Sequence, residues 1–431
     1  MPSSPALRPD GHAQTLMLEQ SGNRLALTLV PLGAFGLYWL SSFFLVARNG
    51  TQHFHVDTWL YAELAQENLF VRIVPDSQLA RIFRFHPLTV VMAAAWMKVL
   101  SPLTGWVSPQ YLLKAMFAAV GAIGVWAAMS AFAAVAPRRH VPAWGAIYGS
   151  SLGVWYFSSI EESKIVTAAL SALYIATYLS LRTRWTTGAA ALLTTILLLA
   201  CLNEIAAGFL IIIPVVDTLM QRGWDLRHGW WIAVHGLAGP LALVILEGVM
   251  RGWTTAAGSH PEGANHFSMF IWYASQNEIS AKSLYKFAIQ WLFFNIAAPE
   301  RHADHWVNLS INFGGNFEPV LANYFSSPIS IGLVTLFGVM LFASVLPQYR
   351  GVSANNCASL LLAFLAYALL RSTFFFFFNS KECFLFSASA TLAHMLLLAI
   401  AFSASRFKAK GALLLVFAVL LFINNGAFII G

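Results

Sequence analysis

Asp57 is the carboxylate best placed in this sequence to act on a substrate. It lies in a charged stretch, residues 49–88 (NGTQHFHVDTWLYAELAQENLFVRIVPDSQLARIFRFHPL), set between two strongly apolar runs. The segment Asp57-Thr58-Trp59-Leu60-Tyr61-Ala62-Glu63-Leu64-Ala65 can start a helix with Asp57 near its N-terminus, where a carboxylate meets orphan N–H groups. Helical spacing then puts Asp57, Tyr61, Leu64 and Ala65 on one face, and Trp59 and Phe54 are amphipathic anchors suited to a bilayer surface. Two readings fit these residues: Asp57 caps a juxtamembrane helix, or that helix presents Asp57 to a cleft as a general base. Neighbouring helices need only short turns between them, so a polar loop of this length reads as a site rather than a connector.

Other ionisable residues join the candidate set, because such groups are costly at membrane depth and serve a purpose there by default. They are Glu63, Glu161, Glu162, Lys164, Glu204, Lys381 and Glu382. Arg72, Arg81, Arg84, Lys164, Arg371 and Lys381 supply positive charge of the kind that suits a phosphate-bearing headgroup. For each cation the plain alternative is a snorkelling side chain. Glu161 and Lys164, three apart, can neutralise each other, and Glu204 can be an ordinary loop residue. Lys381, with Arg371 or Arg84 as helper, is the expected phosphate contact, since Lys381 and Glu382 at adjacent positions point different ways around a helix. His53 with His55, and His302-Ala303-Asp304-His305, raise the question of a metal; neither matches a zinc pattern, and interfacial loop histidines are the simpler reading. A divalent metal is compatible with the sequence but not required by it. The sequence holds no Gly-rich phosphate loop, HExxH pair or GxSxG elbow.

The elements that must hold these groups are apolar helices. Of the 431 residues, 58% are hydrophobic and 10% charged, a balance that excludes an ordinary soluble domain. Apolar runs fall near residues 25–46, 88–101, 110–136, 142–157, 165–181, 187–202, 205–220, 230–250, 328–346, 357–377, 383–404 and 411–430. The expectation is an all-α polytopic bundle of about 11–13 spans forming one domain over 1–431, with juxtamembrane helices in a first outer loop (48–88) and a second outer loop at 251–327. Residues 1–24 are polar and no small-residue cleavage site follows, so the first span is expected to be retained.

Basic loops at Arg182/Arg184, Arg222/Arg227, Arg350 and Arg406/Lys408/Lys410 read as cytoplasmic, which puts 158–164, 202–204, 251–327 and 379–382 together on the outer face. Parity is then unsettled at the front: either the short run 88–101 dips in and returns, or Arg138 and Arg139 lie outside. Within the second outer loop, 283–298 reads as an interfacial helix. The net charge of +7 fits loop anchoring, and no basic tract is dense enough for nucleic acid. Cys201, Cys357 and Cys383 show no pairing or metal spacing. A bacterial inner membrane with the site facing the periplasm is the expected location.

The order of these features resembles the GT-C superfamily of integral membrane glycosyltransferases, in particular the branch with protein O-mannosyltransferases and the lipid A aminoarabinose transferase. The matching features are a first helix followed by Asp57-x-x-x-Tyr61-Ala62-Glu63, His86-Pro87-Leu88 opening the next apolar run, the acidic turn at 158–164, and Lys381-Glu382 entering a late helix. The resemblance implies a polyprenyl-phosphate-linked sugar donor carried in the membrane, Asp57 as base, and an acceptor on the outer face. Tyr61, Glu63, Arg84, His86, Glu161, Glu162, Lys164, Glu204, Arg371, Lys381 and Glu382 would then bind donor or acceptor. The alternatives are a secondary transporter using the same charges, or another lipid-linked group transferase. Repeated halves, common in transporters, are not found, and the charges cluster at one face.

Overall fold

The computed structural model describes residues 10–49, 86–103, 105–182, 186–222, 226–253, 271, 274–275, 277, 279–299, 324–345, 352–380 and 383–430. Among these every regular element is helical and none is a strand. Six helical stretches are long and apolar enough to cross a membrane, and shorter apolar helices accompany them. Many of the spans expose large apolar side chains along one face, as Leu25, Leu29 and Leu32 do in the first and Leu415, Val419 and Phe422 in the last. That is the pattern of helices whose outer surface meets lipid.

The chain opens with α1 (Asp10–Asn49), whose apolar part is Leu25–Leu45. Next come α2 (Pro87–Leu100) and α3 (Pro109–Val135). Near its C-terminal end α1 meets the start of α3: Phe43 stacks on Tyr111 with ring centroids 4.3 Å apart, and Trp39 Nε1 donates to the Tyr111 carbonyl at 3.2 Å. Helix α2 does not run the length of the bundle. Its 14 residues rise about 21 Å, short of a hydrocarbon core of about 30 Å. Trp96, near its far end, donates to the carbonyl of Leu112 in the first turn of α3 at 2.8 Å. Both ends of α2 thus pack at the end of the bundle where α3 begins, the arrangement expected if 88–101 dips and returns.

Arg138 and Arg139 begin a short turn whose His140 ring lies against Gly411, at the start of the last helix. Burial, then the charges of Arg139 and Lys410, hold the His140 pKa below its ordinary value. This groups Arg138 and Arg139 with Arg406, Lys408 and Lys410 at one end, here termed the basic end.

From the basic end the chain returns through α4 (Val141–Ser150) and α5 (Leu152–Ser158), then descends as α6 (Lys164–Leu181), parallel to α3. The run 142–157, expected as one span, is thus broken at Ser151, which is extended (ψ 140°). A broken helix inside a bilayer strands N–H and C=O groups that water cannot reach. Here four of them find partners far off in the chain. Tyr38 donates its hydroxyl to the Gly149 carbonyl at 2.7 Å, and Asn425 Nδ2 to the Ser150 carbonyl at 2.7 Å. The N–H groups of Leu152 and Gly153 donate to the carbonyls of Ile296 and Asn295 at 3.0 and 2.9 Å. Gly153 is required by this approach, since a Cβ there would sit 2.1 Å from Asn295 Oδ1.

Helix α7 (Thr187–Asn203) climbs back to the end opposite the basic one, and a 3-10 segment (Ile205–Ile211) leads down into α8 (Ile212–Arg222). Near the basic end Arg182 Nε and Nη2 donate to the two Asp217 oxygens at 2.9 and 2.8 Å, while Tyr178 OH and Gln221 Nε2 add bonds of 2.5 and 2.7 Å. Both Asp217 oxygens are filled, which identifies a structural clamp. Helices α9 (Leu226–Gly236) and α10 (Ala238–Trp253) follow.

Helix α11 (Ala281–Ala288) and a π-type turn (Ile289–Phe294) correct the expectation of a simple interfacial helix at 283–298. Lys282, Leu284 and Tyr285 are exposed, as expected of a surface helix, but Ile289, Gln290, Trp291, Phe294 and Asn295 are buried, so the second half inserts into the bundle. The chain ends with α12 (Pro328–Val345), α13 (Val352–Asn379), α14 (Cys383–Ser387), a short 3-10 turn, α15 (Thr391–Ala404) and α16 (Lys410–Ile430). Cys201 and Cys357 are free thiols.

Candidate functional site

At the end opposite the basic one, the start of α6 meets the end of α7. Asn203, fully buried in the last turn of α7, is the hub. Its Oδ1 accepts from the Thr89 N–H and hydroxyl at 3.2 and 2.6 Å. Its Nδ2 donates to the Ser163 carbonyl at 3.1 Å and to Thr167 Oγ1 at 2.9 Å. Its carbonyl oxygen lies 2.6 Å from His86 Nδ1, and because a carbonyl only accepts, His86 must carry its proton on Nδ1 there. One amide thus ties α2, α6 and α7 together.

Glu204 follows with extended backbone (φ −154°, ψ 111°), ending α7 and turning its carboxylate inward. Arg371 of α13, wholly buried, donates Nη2 to Glu204 Oε1 and to Ser389 Oγ, and Nη1 to the Ala206 carbonyl at 2.9 Å. The guanidinium also lies 5.0 Å from the Phe375 ring centroid. Arg371 was expected to be a helper for a ligand phosphate or a snorkelling chain. It does not snorkel, and its amino groups hold Glu204, the Ala206 carbonyl and Ser389.

Lys164 opens α6, and its ammonium lies 3.8 Å from Glu204 Oε2 and 4.4 Å from the Phe386 ring centroid. The side chain is 6% exposed. The expected Glu161–Lys164 pairing is not formed. Glu161 Oε2 instead accepts from Lys114 Nζ of α3 at 2.5 Å, with both side chains buried. Glu162, also buried, accepts from Ser163 Oγ at 3.0 Å. The structure therefore brings His86, Glu161, Glu162, Lys164, Glu204 and Arg371 to one end of the bundle, as the sequence suggested. It adds Lys114, Asn203 and Ser389. Lys114 carried a usable signal, a lone lysine inside an apolar run, that the sequence reading passed over.

Asp57, Tyr61, Glu63, Arg84, Lys381 and Glu382 lie outside the described residues, as do Arg72, Arg81 and the histidines at 53, 55, 302 and 305. The flanks of two of these segments are described. The loop holding Asp57 leaves after α1, whose Phe43 sits on the first turn of α3, and rejoins at His86 on Asn203. Positions 381 and 382 fall in the chain between α13 and α14, and Arg371 lies in the C-terminal part of α13. Among the described residues no group of three or more His, Cys, Asp or Glu side chains can hold a metal ion.

Buried ions keep their charge only when paired and hydrogen-bonded. Lys114, Lys164 and Arg371 here balance Glu161, Glu162 and Glu204. The balance is incomplete at the level of hydrogen bonds, since Glu161 Oε1 and Glu204 Oε2 are buried without a donor at hydrogen-bond distance among the described residues. That separates this end from the Asp217 clamp, where every carboxylate oxygen is filled. No protein-family model matches the chain, and no curated protein matches it in sequence.

Proposed function

We propose that the chain is a glycosyltransferase that moves a sugar from a polyprenyl-phosphate donor in the membrane to an acceptor hydroxyl on the outer face. The observation that supports it best is the buried ionic cluster with unfilled carboxylate oxygens, at the end of the bundle where the loop carrying Asp57 departs and returns. Such a cluster offers fixed charges in a water-poor setting, where electrostatic contacts to a substrate are strongest.

In this reading the acceptor oxygen attacks the anomeric carbon as the bond from that carbon to the phosphate oxygen breaks. The acceptor proton passes to the Asp57 carboxylate, and the polyprenyl phosphate leaves as an anion. Lys381 and Arg84 take the phosphate, because Arg371 is engaged with Glu204. The basic end faces the cytoplasm by the positive-inside rule, so the site faces the periplasm of a bacterial inner membrane.

The test is a density map of the protein in lipid nanodiscs with a polyprenyl-phosphate sugar. An elongated lipid whose phosphate lies at the end bearing Glu204 and Arg371 supports the reading. A lipid phosphate seated only at the Arg138/Lys410 end overturns it.

A further inference from the structure

We infer that Lys164 and Glu204 together bind one hydroxyl of the transferred sugar, an inference that rests on the glycosyltransferase reading and assigns a specificity contact within it. Their separation of 3.8 Å is too long for a direct hydrogen bond. Glu204 cannot close the gap freely, because Arg371 holds its other oxygen and is itself fixed by Ser389 and the Ala206 carbonyl. The Lys164 ammonium has three N–H donors and makes no hydrogen bond among the described residues, its contacts being the long ion pair and the Phe386 ring. Glu204 Oε2 is buried with no donor among the described residues.

A pair of this kind selects its ligand chemically. An oxygen about 2.8 Å from each partner spans the gap. It must accept from an ammonium and donate to a carboxylate at once, which a hydroxyl does and a carbonyl does not. A phosphate oxygen would satisfy Lys164 but meet Glu204 with like charge. A sugar hydroxyl fits both partners, and so does a water molecule, which the experiment separates from it.

Wild-type protein in proteoliposomes is supplied with polyprenyl-phosphate hexose and with its monodeoxy analogues, one ring position at a time, alongside the variants Lys164→Met and Lys164→Gln. Methionine keeps the packing on Phe386, and glutamine supplies the comparison if the methionine variant does not fold. A hydrogen bond to a charged group predicts that wild type disfavours one deoxy analogue by about 10- to 100-fold in kcat/KM. Lys164→Met is expected to lose a similar factor with the full sugar and to stop distinguishing that analogue. Wild type that transfers every deoxy analogue as well as the parent overturns the inference, as does Lys164→Met discriminating as wild type does. Either outcome is also what a retained water between the two side chains would give. Failure of wild type to transfer any hexose, pentose or amino sugar from such donors overturns the glycosyltransferase reading itself.

Discussion

One carboxylate, Glu204, is shared between two cations with different roles. Arg371 donates from both amino groups to protein oxygens, whereas Lys164 stands back at 3.8 Å. Removing one partner of a buried pair leaves the other charge uncompensated, so Arg371→Met is expected to destabilise the folded protein by about 3–5 kcal/mol. The double variant Arg371→Met/Glu204→Leu should recover only part of that loss, because it removes the carboxylate that Arg371 held but takes from Lys164 its one anionic partner among the described residues. Arg371→Lys should fall short of wild type, since an ammonium cannot reach Glu204, Ser389 and the Ala206 carbonyl in one plane. Thermal unfolding in detergent distinguishes these cases, and equal stability of the single and double variants would show that the pair is not coupled. At this scale the sequence disclosed the participants better than the pairings. Glu161, Lys164, Glu204 and Arg371 stood out as charges among apolar residues, but their partners depend on how α3, α6, α7 and α13 approach one another. Local spacing pointed to Glu161 with Lys164, and tertiary packing gave each a partner from another helix.

The elements were legible where they are long. The spans at 110–136, 165–181, 187–202 and 411–430 agree with helices Pro109–Val135, Lys164–Leu181, Thr187–Asn203 and Lys410–Ile430. The break at Ser151 and the inserted half of 283–298 were not legible, because apolar residues on every side carry no periodic signal of where a helix stops. What makes the break tolerable lies far off in the chain. Asn425 donates to the carbonyls of Ser150 and Ile296 at 2.7 and 2.8 Å and accepts from the Ala298 N–H at 2.8 Å. Asn425→Leu strands these groups where water is scarce and should cost at least about 2 kcal/mol. The check is the unfolding midpoint of the purified variant, and a midpoint equal to wild type would mean that other donors serve the break.

Over the whole molecule, the described ion pairs fall into two sets with different completeness. The Asp217 clamp is closed, and it lies toward the basic end. The cluster around Glu204 lies toward the other end, beneath the exit and return of the loop that carries Asp57. This polarity was legible from the sequence as basic loops on one side and acidic turns on the other. The depth of α2 was not, because a short apolar run fits a dip and a crossing equally well until Trp96 is found on the first turn of α3. The measurement that tests the central claim most directly is sugar transfer in sealed, right-side-out membrane vesicles given a labelled polyprenyl-phosphate sugar, with wild type and Asp57→Asn compared at equal amounts of folded protein. The substitution keeps the shape of the side chain and removes the base, so wild type should transfer the label to an acceptor on the outer face while Asp57→Asn falls by at least about 100-fold. Transfer by Asp57→Asn at the wild-type rate would contradict the assigned base, and ion-gradient-driven uptake of a solute with no transfer by wild type would contradict the enzyme.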